Sequence, residues 1–316
     1  MRRLVLILAL GACATAQPTD VDLITVACTV SDRGGAPVPN LTVSDFALTD
    51  NGQPRQVSQL WSASDLPLTL AFVADIGGNQ AAAIDDHREA IAQFLKQTIG
   101  PRDRAVVVQL GRQAWLIADI NAPRGGSSGA IDAAVARIGT HMGKQTNLVG
   151  PPCRIVRAPH SCGESALWHG IYHTAVKLKP VFGRKAIVVL SDGVDTGSDV
   201  TLTDAIDAAQ AAGTAVYSIK YSGAGGITSI RTKVTETLSR GLDRVDRETG
   251  GMTFGDPGKK TAEVLAQIES DLHGMYVVGF TPAPEARDGK FHKLELRSVR
   301  GGSTIRARAG YWANRQ

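Results

Sequence analysis

Two apolar runs of strand length, Leu68 to Asp75 and Lys185 to Asp192, each end on a carboxylate. In an open parallel sheet the carboxyl ends of the central strands meet at one crevice, and ligands bind there. Two aspartates delivered to that crevice would face a common polar site, suited to holding a divalent cation or moving a proton. An aspartate after a single buried strand more often caps the next helix. The pair points instead to a shared site, the more so because Asp75 runs into Ile76-Gly77-Gly78-Asn79, a tight polar turn that opens a long helix.

Other chemistry-bearing patterns are weaker. Leu190-Ser191-Asp192-Gly193 lacks the flanking glycines of a nucleophile elbow, and Gly223 to Gly226 matches neither a phosphate-binding loop nor a dinucleotide fingerprint. The carboxylate pairs Asp85/Asp86 and Asp192/Asp195 could do acid-base work, although such pairs are usually solvated on a surface helix or in a turn. Cys153, His160, Cys162, His169 and His173 fall close together, and the last two lie one helical turn apart, a spacing that can present two imidazoles to zinc. That helix lacks the glutamate of a His-Glu-x-x-His motif, and two thiols in an oxidising compartment tend to pair. Cys153 and Cys162 therefore read as a local disulfide closing the segment 154–161. Cys28 alternates in phase with Ile24, Val26 and Val30 and is expected to be an inert core thiol.

The two aspartates must be positioned by alternating strands and helices. After Asp75 a helical pattern runs from Gln80 to Ile99, with Ile84, Ile91, Phe94, Leu95 and Ile99 on one side and Gly100-Pro101 as its stop. Arg104 to Leu110 and Ala114 to Ile120 read as strands joined by a short turn, and hence antiparallel. A helix near Ala130 to Ile138, the cysteine-bearing loop and a helix from Ser165 to Lys179 precede the second aspartate strand. A helix at Leu202 to Ala212, a strand at Thr214 to Tyr221 and helical stripes at Ile230 to Val245 and Val264 to Leu272 follow it. The alternation predicts a doubly wound, Rossmann-like α/β body with a mostly parallel sheet.

Both ends are β-rich instead. Val21 to Val30 alternates, and Asp50-Asn51-Gly52 is a hairpin signal between Asp45 to Thr49 and Arg55 to Leu60. Met275 to Thr281, His292 to Val299 and Ser303 to Trp312 read as strands, the last two joined at Gly301-Gly302. Such short pieces need partners, so the two ends are expected to pack as one small β module, with Arg306 and Arg308 on a solvated strand face.

These blocks together resemble the bacterial VWFA-related domain family of exported proteins, in which β segments from both termini flank a von Willebrand factor A domain. The resemblance is carried by Thr29 to Val38, Leu41 to Phe46, Asp50-Asn51-Gly52, Leu68 to Asp75, Ser165-Ala166-Leu167-Trp168, Arg184 to Ser198 and Arg306 to Tyr311. It implies a metal-ion-dependent adhesion site at Asp75, Gly77, Asn79, Ser165 and Asp192. The pattern is eroded here: Gly77 has no side-chain oxygen, Asn79 offers an amide in place of a hydroxyl, and Ser165 replaces a threonine. Mg²⁺ wants six oxygens in near-octahedral array. Mg²⁺, Mn²⁺ or Ca²⁺ would thus rest on Asp75, Asn79, Ser165 and Asp192 with water filling the gap. An intact site of this type leaves one coordination position open for a partner's carboxylate. The implied function is noncatalytic binding of a protein or matrix partner at the carboxyl rim of the sheet. The alternatives are a metal-assisted hydrolase using the Asp75/Asp192 crevice and a purely architectural envelope component.

The 316 residues, 43% hydrophobic and 20% charged, suffice for one large core and a small companion. With 34 Lys and Arg against 30 Asp and Glu, and no basic run interleaved with aromatics, nucleic-acid binding has little electrostatic support. Arg2, Arg3 and the apolar run Leu4 to Leu10 form an export leader too short to span a bilayer, with cleavage after Ala16. Leu10-Gly11-Ala12-Cys13 also offers a lipid-bearing Cys13. No later run is apolar for long enough to cross a membrane. The expected organisation is a signal peptide at 1–16, a β segment at 17–62, an A-like domain at 63–274 and a second β segment at 275–316. The protein is expected in the periplasm, in the outer envelope or outside the cell. The Cys153 to Cys162 loop immediately precedes Ser165 and belongs on the rim, where pinning it would lower the ordering cost of binding. Replacing both cysteines by serine is expected to weaken partner capture more than it lowers the urea midpoint; the reverse would contradict the assignment.

Overall fold

Leu68–Asp75 is buried along its whole length, as a strand is when helices cover both faces of a parallel sheet. The structure, a computed structural model, describes residues 23–77, 80–121, 127–139, 148–151, 165–221 and 240–313. The expected leader, Cys13, Asn79, Cys153, His160 and Cys162 lie outside them.

Along the chain come β1 (Ile24–Ser31), β2 (Phe46–Asp50), β3 (Gln53–Arg55), β4 (Gln59–Trp61), β5 (Leu68–Asp75), α1 (Gln80–Thr98), β6 (Arg104–Leu110) and β7 (Ala114–Asn121). Next are α2 (Ser127–Arg137), α3 (Leu167–Leu178), β8 (Arg184–Ser191), α4 (Leu202–Ala212), β9 (Thr214–Lys220), a helix described over 240–249 (α5), and β10 (Thr253–Phe254). The chain closes with α6 (Thr261–His273), β11 (Met275–Phe280), β12 (Phe291–Ser298), β13 (Thr304–Ala307) and β14 (Gly310–Trp312).

The central sheet has the order β10-β9-β8-β5-β6-β7, with every pairing parallel except the β6–β7 edge hairpin. Counted from β5, this is the 3-2-1-4-5-6 order of a doubly wound sheet, and its switch point falls between β5 and β8. Alternation along β5 divides the core. Leu70, Phe72 and Ala74 pack with Ile84 and Ile91 of α1, Ile131 of α2 and Leu265 of α6, whereas Ala71 and Val73 pack with Leu167 and Ile171 of α3, Ile206 of α4 and Leu242 of α5. Each fully buried Leu, Ile or Phe here contributes about 1.5–3 kcal/mol relative to exposure. Gly170 lets α3 lie close on β6, since a Cβ there would sit 2.6 Å from Leu110 Cδ1.

The ends of the chain do meet. β1 lies between β13 and β11, and β2 lies between β12 and β3, so each terminal sheet draws strands from both ends. Their shared core holds Val26, Val30, Phe46, Leu48, Val278, Phe280 and Cys28, whose thiol burial pushes up to about 12. That Cys28 is inert, as its phase suggested. The Asn51-Gly52 turn forms, with both residues at positive φ (48° and 79°) as a two-residue hairpin requires.

Two expectations need correction. The segment 303–312 is not one strand paired across Gly301-Gly302: it divides into β13, which joins β1, and β14, which joins β12. The division comes at Arg308 and Ala309, where the Ala309 N–H bonds to the Glu248 carbonyl at 2.9 Å and Arg308 turns inward. Nor is the arginine face solvated. Arg306 forms an ion pair with Asp271 of α6, and the same carboxylate accepts from the Tyr217 hydroxyl of β9 at 2.5 Å and from Thr29 of β1 at 3.3 Å. The face that would be wet on an isolated module is turned onto the α/β body. Asp271→Ala would strand the buried Tyr217 hydroxyl and the Arg306 guanidinium together. It is expected to cost about 3 kcal/mol in urea unfolding, and a loss under about 1 kcal/mol would contradict this joint.

Candidate functional site

Ala74 pairs with Leu190 in the parallel ladder, so Asp75 and Ser191 end adjacent strands side by side and Asp192 follows at once. Both aspartates thus emerge at the carboxyl end of the sheet, at its switch point. Asp75 is 1% exposed. Its Oδ1 accepts from the Gly77 N–H at 2.8 Å, and its Oδ2 accepts from the hydroxyls of Ser165 at 2.8 Å and Ser191 at 2.6 Å. Burial outweighs these three donors, and the nearby Asp192 charge adds to it, so the Asp75 carboxyl is pushed up to about 7.

Ser165 is held by its own backbone. Its N–H donates to Thr196 Oγ1 at 3.1 Å, and its carbonyl accepts from the N–H groups of Thr196 and Gly197 at 2.9 and 3.0 Å. The next residue, Ala166, donates to the Gly111 carbonyl at the β6–β7 turn at 2.8 Å. The loop after β8 and the edge hairpin therefore fix where the Ser165 hydroxyl points. Asp192 is half-buried, with its Oδ1 accepting the Val194 N–H at 2.9 Å in a local turn.

The other candidates have structural roles. Asp195 caps α3, accepting the Trp168 N–H at 3.2 Å and the Ser198 hydroxyl at 2.5 Å, and burial raises its pKa. It is not free for acid-base work. His169 is buried, with Nδ1 2.7 Å from Asp199 and its ring 4.3 Å from that of His173, whose pKa is lowered by burial and by the His169 charge. The remaining members of the zinc pattern and of the disulfide lie outside the described residues.

The fit of a divalent ion can be judged from the donors that are described. Gly77 brings an N–H rather than an oxygen, and both Asp75 oxygens already take hydrogens from the protein. Asp75 Oδ1 keeps one acceptor position, and with the Ser165 oxygen and the Asp192 carboxylate the described donors still fall short of an octahedral shell; Asn79 lies outside the described residues. Among the described residues no three His, Cys, Asp or Glu side chains gather to hold a metal. The described residues alone do not complete a Mg²⁺ shell.

Ser191 and Thr196 were not recognised as site residues from the sequence. Ser191 carried a usable signal, since a hydroxyl one residue before Asp192 must stand opposite Asp75 once the two strands pair in parallel.

The sheet order and the antiparallel β6–β7 edge are what the resemblance to von Willebrand factor A domains implied. No family model matches the chain, and no curated protein matches it. Among solved structures it is similar to proximal thread matrix protein 1 from the mussel byssus, at 12% identity and a TM-score of 0.46 over 69% of this chain. The chain spans about half of that protein, 48% of its length. It is also similar to a von Willebrand factor type A protein from Catenulispora acidiphila, at 12% identity and a TM-score of 0.44, covering 94% of this chain and 75% of that one. An aerotolerance-related membrane protein from Bacteroides fragilis matches at 11% identity and a TM-score of 0.43, covering 66% and 98%. Among the described residues no helix is long and apolar enough to cross a membrane.

The Asp75 position has a pH signature. Its folded pKa of about 7 lies above the ordinary value of 3.8, so between the two the native state binds more protons than the unfolded chain. The contribution of this group to stability therefore falls as pH rises from about 4 to about 7. Ser191→Ala removes a hydrogen that the carboxylate needs more than the neutral acid does. It is expected to cost about 1–3 kcal/mol at about pH 8 and clearly less at about pH 5, by urea unfolding. Equal losses at both would contradict the assignment.

Proposed function

We propose that this chain is a noncatalytic, exported protein-binding module of the A-domain type, which contacts its partner through the loops around Asp75, Ser165 and Asp192. The observation that carries the reading is a fully buried Asp75, satisfied by two hydroxyls and an amide, beside a half-buried Asp192 at the switch point of the sheet. That arrangement sets a buried, hydrogen-bonded carboxyl beside a half-buried one at the carboxyl end of the sheet, and this is the place where doubly wound sheets bind ligands. A partner's Lys, Arg or backbone N–H groups suit Asp192.

The noncatalytic part rests on what the hydroxyls do. Ser165 and Ser191 both give their hydrogen to Asp75, and neither is bonded to an imidazole base. A Gly-x-Ser-x-Gly spacing does occur in the sequence at Gly125 to Gly129; Gly125 and Gly126 lie outside the described residues, and Ser127 opens α2, which follows an antiparallel edge strand rather than a parallel one. The adhesion-type metal site is degenerate in this reading: Mg²⁺, Mn²⁺ or Ca²⁺ would be held weakly by Asp75, Asn79, Ser165 and Asp192 with water, and partner binding does not depend on it.

The test is capture from an envelope fraction by the mature chain and by Asp192→Asn, which keeps the turn to Val194. A partner held by the native chain, reduced at least about tenfold by the variant and unchanged by chelator, is the expected result. Chelator-sensitive capture would contradict the metal-independent mode. Capture equal for both chains would contradict the rim, and turnover of ester, phosphate or peptide substrates would contradict the noncatalytic role.

A further inference from the structure

Apolar surface left in water collects at one seam, where the terminal β sheets meet the α/β body at the amino ends of the strands. Leu23 is 38% and Trp312 45% exposed, and both line a cavity there with Gly183. Exposed Phe291 meets Trp312 edge-on, with ring centroids 5.6 Å apart, and exposed Val176 stands in the last turn of α3. Phe182, next to Gly183, is 74% exposed, the most of any large apolar side chain among the described residues.

The turn that carries Phe182 is fixed. The Val181 N–H donates to the Leu178 carbonyl at 3.0 Å, and the Arg184 N–H donates to the Pro67 carbonyl at 2.8 Å. Between them Gly183 turns at φ 99°, where a Cβ would come within 2.4 Å of the Pro67 oxygen. The carboxyl end of α3 is covered as well, since Lys185 Nζ donates to the Val181 and Lys179 carbonyls at 3.0 and 3.4 Å. A rigid, capped turn thus holds a phenyl ring out in water, with exposed Lys179 and Pro180 just before it. Apolar surface gathered in this way marks a contact with a protein or a membrane.

The path of the chain decides which. Leu23, the first described residue, belongs to this same seam. Residues 14–22 alone separate it from Cys13, the position that the leader offers for a lipid, and that stretch reaches at most about 35 Å. A lipid at Cys13 therefore brings this seam, rather than the opposite end, to a bilayer. Arg184 opens β8 at the seam and Ser191 closes it beside Asp75, so the aspartate rim lies one strand length away, about 25 Å. Moving one phenyl ring out of water strengthens a contact by about ten- to a hundredfold, too little to hold a protein on a membrane by itself. Beside a lipid chain that already keeps the protein there, it is enough to set the orientation.

We infer that the seam is a membrane-contact face: a diacylglyceryl group on Cys13 tethers it, Phe182 inserts into the phospholipid surface, and the Asp75/Asp192 rim points away toward the partner. The inference rests on the exported, rim-binding reading above. In the anchoring step the Cys13 Sγ forms a bond to the glyceryl carbon of a phospholipid, the bond from that carbon to the phosphate oxygen breaks, and the headgroup phosphate leaves with the thiol proton. Water then cleaves the Ala12–Cys13 peptide bond.

The test uses the full chain made with its own leader in a bacterial host, with mass spectrometry of its amino terminus. It is reconstituted on vesicles of phosphatidylethanolamine and phosphatidylglycerol, with a nitroxide at Phe182→Cys or at Arg112→Cys on the β6–β7 turn, both in a Cys153→Ser/Cys162→Ser background. The label at 182 is expected to be open to oxygen and shielded from a water-soluble relaxation agent, and the label at 112 to behave as in water. For the chain without lipid, Phe182→Ser is expected to lower vesicle binding about tenfold and to leave the urea midpoint unchanged. Asp192→Asn is expected to lose partner capture and keep the vesicle contact, so the two readings fail separately. An amino terminus without lipid, equal water exposure of the two labels, or shielding at 112 instead would overturn the inference. So would a native chain that dimerises in solution and becomes monomeric as Phe182→Ser, since the face would then belong to a second copy.

Discussion

A carboxylate that is 1% exposed must be supplied with hydrogens by the protein, and the carboxyl end of this sheet is arranged to supply them to Asp75. One comes from its own turn through Gly77, one from the neighbouring strand through Ser191, and one from the approach to α3 through Ser165. The third donor brings further requirements. Ser165 can point at Asp75 only because the loop after β8 clasps its backbone through Thr196 and Gly197, and because Ala166 is pinned to the β6–β7 turn. One buried group thereby coordinates the ends of β5 and β8, the edge hairpin and the start of α3. Even so, burial and the Asp192 charge outweigh the donors, and Asp75 is held close to neutrality between its two protonation states.

The same logic joins the chain ends to the body. Asp271 takes hydrogens from Tyr217 and Thr29 and pairs with Arg306, so a helix, a central-sheet strand and two terminal strands share one carboxylate. Arg308 does the complementary task at the amino end, giving its hydrogens to the carbonyls of Gln210 in α4 and of Thr25 near the start of β1. Short terminal strands that would be marginal alone are fixed by these polar joints as well as by their apolar core.

What could be read from the sequence was set by local period. β5 and β8 are buried on both faces, so their apolar runs and terminal aspartates stood out, as did the Ile84, Ile91 and Leu95 stripe of α1 and the Asn51-Gly52 turn. Wherever a partner distant in sequence decides the outcome, the pattern misled or fell silent. Arg306 and Arg308 alternate like a wet strand face, and nothing local to them announces Asp271 or the Gln210 carbonyl. Ser191 looked like a poor nucleophile because its real role depends on the register between two strands more than a hundred residues apart, as its bond to Asp75 spans 116 positions. The two-residue β10 is too short to carry any period at all.

The central claim is that protein hydrogens, rather than a tightly held ion, satisfy Asp75. Carbon-detected NMR titration of its side-chain carboxyl, with and without millimolar Mg²⁺, tests this most directly. The account predicts a midpoint near 7 that Mg²⁺ leaves in place. A midpoint at the ordinary aspartate value, or one driven down by the ion, would contradict it.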